Sequence, residues 1–228
     1  MFTYLLINFF TILFPLAQSF ENKVNFYSKW KYVFMAIGIT TLFFIVWDHL
    51  FTTWGVWSFN PEFITGIFLF SLPIEEWLFF ITVPFACLFI YEVLHYFFPA
   101  DPLREYSNFI TVMLFVIFIT VAVLNSDNLY TVTVFSFAAI FLSIHWLIYR
   151  NRYLGMFYFT YLVHLIPFLI VNGILTYLPI VQYNDSENLN ISIFTIPIED
   201  AVYSFLLLLM NITLYQIFKK NLNKKVKQ

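Results

Sequence analysis

Cysteine, glycine and charge are what this 228-residue chain has least of, and each shortage excludes something. With Cys87 the single cysteine, neither a disulfide framework nor a thiolate-ligated metal site can form. The five glycines, Gly38, Gly55, Gly66, Gly155 and Gly173, build no G-x-G-x-x-G phosphate loop. No flavin or nicotinamide is therefore expected, and no other cofactor is implied. Charged residues make up only 11% of the chain and the formal net charge is −2. No basic stripe with interleaved stacking residues exists, which sets aside nucleic acid as a partner. What remains is 61% hydrophobic and 23% aromatic, with a mean hydropathy of +0.82. No soluble fold of this size hides that much apolar surface.

Apolar windows long enough to cross a bilayer recur near residues 1–18, 31–51, 76–97, 108–125, 129–149, 153–176 and 201–218. Backbone polar groups in hydrocarbon must be satisfied within their own segment, so these windows predict an all-α, multi-pass integral membrane protein of about seven helices. All eleven Lys and Arg residues then fall on one side: Lys23, Lys29, Lys31, Arg104, Arg150, Arg152, Lys219, Lys220, Lys224, Lys225 and Lys227. By the positive-inside rule the N-terminus is expected outside the cell membrane and the C-terminus in the cytoplasm. The opposite face carries acids only, among them Glu62, Glu75, Glu76, Asp185, Glu187, Glu199 and Asp200.

Self-similarity runs at an offset of 124 residues. Ser71-Leu72-Pro73-Ile74-Glu75-Glu76 matches Thr195-Ile196-Pro197-Ile198-Glu199-Asp200, Asn60 falls on Asn184, and Asp48 falls on Asn172. One membrane domain over 1–228 follows, with repeat one at about 1–97, a linking helix at about 108–125 and repeat two at about 129–218. An intervening helix makes the two three-helix units parallel, a 3+1+3 pseudo-repeat. A Ser or Thr N-cap, an early Pro and first-turn acids are ordinary helix-start chemistry. Two copies with adjacent carboxylates at the edge of hydrocarbon argue for a task, because acids there are costly. Glu75, Glu76, Glu199 and Asp200 are accordingly the candidate catalytic acids, with partners expected across the repeat rather than within one pair.

Other residues weigh less, although Asp48-His49 near the end of the second span can join the acid cluster, His49 alone being more often a core or interface histidine. His49, His95, His145 and His164 offer no His/Glu pairing at helical spacing apart from Glu92 with His95, so no metal site is expected. Trp30, Trp54, Trp57 and many tyrosines suit an interfacial belt, although Trp54 and Trp57 lie in the acidic face's loop, where rings can stabilise a cation.

Together Asp48, Gly55-Val56-Trp57-Ser58-Phe59-Asn60-Pro61, Leu72-Pro73-Ile74-Glu75-Glu76, Leu78-Phe79-Phe80, Val171-Asn172-Gly173-Ile174-Leu175-Thr176, Tyr183-Asn184 and Ile196-Pro197-Ile198-Glu199-Asp200-Ala201-Val202-Tyr203 resemble the lycopene cyclase domain family, in the form where two small subunits are fused. Ala201-Val202 stand where the family often has aromatic residues, which bears on pocket shape. The resemblance implies cofactor-free cyclisation of the linear ends of lycopene to β-ionone rings, giving γ-carotene and β-carotene without net redox change. It also implies a lipophilic carotenoid drawn from the bilayer, with membrane lipids around the protein. Acid and base roles carry over to Glu75, Glu76, Glu199 and Asp200, and substrate contacts to Asp48, Trp54, Trp57, Asn60, Phe79, Asn172 and Tyr203. The chemistry agrees: an alkene needs an acid to protonate it, rings to stabilise the carbocation and a base to end the reaction.

Other readings compete, and a prenyltransferase among them would need Asp-rich motifs binding magnesium diphosphate with cations nearby, whereas the acidic face has none. Small sugar transporters share the parallel 3+1+3 plan, but no paired Pro or Gly breaks stand at matching midplane positions. A retinal protein would need a lysine within a span. A related carotenoid enzyme, such as a hydratase or a cyclase making another ring, stays open, as does a homo-oligomer. The lysine-rich tail reads as a topology anchor at an anionic leaflet.

Overall fold

A computed structural model describes residues 2–150 and 152–225; Lys227 of the lysine-rich tail lies outside them. Seven α-helices account for most of the described residues: α1 (Thr3–Gln18), α2 (Trp30–Thr53), α3 (Ile74–Phe97), α4 (Ser107–Leu124), α5 (Leu129–Tyr149), α6 (Leu154–Tyr177) and α7 (Ile198–Lys225). Six of them are long and apolar enough to cross a membrane. The seventh, α1, has 16 residues, or roughly 24 Å at 1.5 Å per residue. It ends at Gln18, where the apolar window ends, because the chain turns at Ser19, whose hydroxyl bonds the Pro15 carbonyl.

Each helix buries a stripe. On α2, Val33, Ala36, Ile37, Thr40, Phe44 and Trp47 are buried, at the three- and four-residue spacing that places side chains on one face. That face meets α7, where the Thr40 hydroxyl donates to Asn211 Oδ1 at 3.0 Å. The helix α1 packs on α3, α5 packs on α7, and α3 also touches α6. Polar bonds between membrane helices are each worth roughly 0.6–2 kcal/mol, so close packing of apolar and small side chains, Ala36, Ala138 and Ala139 among them, holds the bundle.

Two long loops fold over one end of the bundle, and positions 124 apart do the same work in both. Strands β1 (Trp57–Phe59) and β4 (Val181–Tyr183) pair antiparallel with Ser58 opposite Gln182, so the pairing is symmetric about its centre. Asn60 N–H donates to the Ile180 carbonyl and Asn184 N–H to the Val56 carbonyl, both at 2.9 Å. Strands β2 (Phe68–Leu69) and β3 (Leu72–Pro73) form a hairpin, as do β5 (Ser192–Ile193) and β6 (Ile196–Pro197). Ser71 and Thr195 stand at the hairpin corners, where an N-cap was expected. Ser71 bonds His49 and Thr195 bonds Thr176, and the helices begin beyond Pro73 and Pro197. A proline's fixed φ and missing N–H suit that junction between strand and helix.

Candidate active site

Each acid motif enters the first turn of its helix, and neighbouring helix positions point about 100° apart. The two carboxyls of a motif therefore part company. Glu75 turns back to its own loop, where its Oε1 accepts from the Thr65 N–H at 2.7 Å. Glu199 does the same with the Leu189 N–H at 2.8 Å and also accepts from the Thr131 hydroxyl at 2.7 Å. Both are fully buried, yet neither lines the cavity between the helices.

Glu76 and Asp200 face that cavity, and Asp48 of α2 joins them. Glu76 Oε2 accepts from the Tyr4 hydroxyl at 2.5 Å. The Asp48 carboxyl neighbours that of Glu76 in the cavity wall, and Asp48 Oδ1 accepts from Tyr203 at 2.6 Å. Two neighbouring carboxyls in apolar surroundings disfavour a double negative charge and so favour a proton held on one of them. Asp200 has a different shell: Tyr130 donates to Oδ1 at 2.7 Å, while Tyr183 at 2.8 Å and the Asn172 amide at 3.5 Å donate to Oδ2. Donors alone surround it, an arrangement suited to a carboxylate. Tyr183, in the loop outside the helices, has its phenol pushed well above the ordinary tyrosine range by burial and by the neighbouring Asp200 charge. It stays a donor.

The cavity has a volume of about 590 Å³. Trp57, Tyr130, Tyr183 and Tyr203 line its polar end, where the Trp57 and Tyr130 rings sit 5.2 Å apart edge to face. From there it runs between α1, α3, α6 and α7 past Phe79, Val83 and Phe168 to Pro15, Phe89 and Asn211. Glu76 and Ile90, both in its wall, are separated along α3 by roughly 20 Å at 1.5 Å per residue. Midway, His164 contacts Cys87 Sγ at 3.3 Å through Nδ1 and the Ser204 hydroxyl at 3.1 Å through Nε2. Among the described residues no cluster of metal-binding side chains occurs.

Of the substrate-contact candidates, Asp48, Trp57, Phe79, Asn172 and Tyr203 line the cavity. Trp54 and Asn60 do not. Trp54 is 58% exposed beside Phe51, and Asn60 spends its side chain on the Glu62 N–H. Tyr4 and Tyr130 were not singled out from sequence, and Tyr183 stood only in the Tyr183-Asn184 motif without a role, yet each donates to a cavity carboxyl. A signal existed for two of them: Tyr4 and Tyr130 occupy matching places at the starts of α1 and α5, 126 positions apart, each opposite its own repeat's acid motif.

The family model described as lycopene cyclase matches residues 1–94 and 127–218. The chain belongs to the lycopene cyclase family, whose activity is carotenoid cyclisation. It is a membrane-embedded, multi-pass member. No curated protein and no solved structure matches it.

Proposed function

We propose that this protein is a lycopene β-cyclase, an isomerase that closes linear lycopene ends into β-ionone rings with no cofactor, yielding γ-carotene and then β-carotene. The observation that carries the reading is the meeting of Asp48, Glu76 and Asp200 in one apolar, aromatic-walled cavity between membrane helices. The Glu76–Asp48 pair holds the proton and gives it to the terminal alkene CH. The next double bond of the chain attacks the resulting tertiary cation, and the new C–C bond closes a six-membered ring that carries the charge. Trp57, Tyr130, Tyr183 and Tyr203 present faces or hydroxyls to that cation. Asp200, as carboxylate, takes a ring proton and leaves the ring double bond. One proton enters and one leaves, so the product is an isomer of the substrate.

Glu75 and Glu199 act by holding the loops that roof the cavity. The distribution of Lys and Arg supports an external N-terminus and a cytoplasmic C-terminus in the cell membrane, with the acids toward the outer face. Expression in cells that accumulate lycopene, with pigments separated by chromatography, tests the reading. β-Ringed products are expected from the wild type and unchanged lycopene from Glu76→Gln and Asp200→Asn. Unchanged lycopene from folded wild-type protein would overturn it.

A further inference from the structure

The two halves match closely around the acids and differ sharply one layer deeper. Following the correspondence of α2 with α6 and of α1 with α5, the seam between α1 and α6 is the counterpart of the seam between α5 and α2. In the first seam Thr11, Pro167 and Val171 are among the residues that line the cavity. Their counterparts in the second are Phe137, Phe43 and Trp47. These three rings fill the gap: Phe43 and Phe137 lie 5.7 Å apart, Trp47 and Phe137 5.0 Å, and Trp47 also abuts Tyr203 at 5.2 Å. At these three positions the first seam is small or thin where the second is aromatic; at Phe10 and Phe14, whose counterparts are Ser136 and Ile140, the difference in size runs the other way.

On the open side, lining residues also reach the lateral surface. Phe10 and Phe14 of α1 are each 65% exposed and Ile170 of α6 is 60% exposed. The cavity thus opens sideways between membrane helices, where a lipid-dissolved molecule arrives.

We infer that the α1/α6 seam is the single lateral portal through which a lipophilic linear polyene reaches the carboxyls, and that Phe43, Trp47 and Phe137 plug the pseudo-symmetric second portal. This rests on the cyclase reading above and deepens it. With one portal, every chain end meets Glu76–Asp48 and Asp200 in the same orientation, so the two half-sites keep fixed, unequal roles. The remainder of a long polyene trails out through α1/α6 into the bilayer, and the second end is presented only after the first has been withdrawn.

The test uses Ile170→Cys, an exposed position at the portal mouth, and Phe43→Cys at the plugged seam. Each is reconstituted in lipid vesicles with lycopene and alkylated after folding with a bulky maleimide, with the wild type, whose Cys87 is buried, as the labelling control. Alkylation at 170 is expected to lower turnover at least tenfold, and alkylation at 43 to change it less than twofold. A second route transplants the plug as Thr11→Phe with Val171→Trp, which is expected to abolish turnover. Adding Phe137→Thr and Trp47→Val to that background should restore part of it. Wild-type rates from labelled Ile170→Cys would overturn the portal while leaving the cyclase reading intact. Wild type that leaves lycopene unchanged would overturn the cyclase reading itself.

Discussion

Two neighbouring glutamates, Glu75 and Glu76, should fail in opposite ways. Glu75→Ala removes the acceptor of the Thr65 N–H in a fully buried setting. Orphaning a buried amide costs about 1–3 kcal/mol, and for a chain of this length each kcal/mol lowers Tm by about 2–4 °C. Thermal unfolding in detergent should therefore fall by several degrees, while the rate per folded molecule stays within a few-fold of wild type. Glu75→Gln keeps a carbonyl for Thr65 and should recover most of the loss. Glu76→Gln has the converse effect. Its amide still accepts from Tyr4, so Tm should move little, but the acid is gone. General acid catalysis supplies about 10²–10⁴-fold, equivalent to about 3–5 kcal/mol of barrier at 1.36 kcal/mol per decade. Tm by tryptophan fluorescence and pigment turnover on the same preparations separate the two. If Glu75→Gln abolished turnover with Tm unchanged, the division of labour argued from the geometry would be wrong.

Glu92 is buried where Lys29, Lys219 and the Tyr215 hydroxyl converge at 2.6, 2.8 and 2.6 Å. Glu92→Leu should cost about 3–5 kcal/mol by stranding two half-buried lysines, read as a large fall in Tm. Gly155→Ala would place a methyl 2.6 Å from the Arg104 backbone nitrogen and against the Asp101 carboxyl. It should destabilise, whereas Gly173→Ala meets open space and should gain up to about 1 kcal/mol in helix propensity. Tyr183→Phe removes one donor from Asp200 and should slow turnover by roughly 10- to 100-fold, from about 1.5–3 kcal/mol for a hydrogen bond to a charged group. Because the Tyr183 phenol is raised in the folded protein, its linkage to stability is fully present below its unfolded value near 10 and is lost as pH rises above that. Circular dichroism of wild type and Tyr183→Phe against pH should therefore diverge only above about pH 10.

Hydropathy made the helices legible, because about 20 apolar residues in lipid have few other options. The shared offset of 124 made the paired acid motifs legible. Their inner division was not, since Glu75 and Glu76 differ by one residue and only the loop's return to Thr65 decides which carboxyl it captures. Asp48 was visible as a substrate-contact candidate and as a residue able to join the acid cluster, but not as Glu76's particular neighbour, because the relative depth of α2 and α3 is a packing outcome. Trp54 shared the acidic loop with Trp57, yet β1 begins at Trp57 and turns that ring inward while leaving Trp54 on the surface. The aromatic plug was hidden for another reason: with 32 phenylalanines in the chain, no single one stands out until the two seams are compared.

The most direct test of the central claim is cyclisation by purified protein in lipid vesicles prepared in D₂O, with the product analysed by mass spectrometry and NMR. A ringed isomer of lycopene is expected, carrying one deuterium per ring at the carbon that had been the terminal alkene CH. Lycopene recovered unchanged, or a product that gained or lost hydrogen overall, would contradict it.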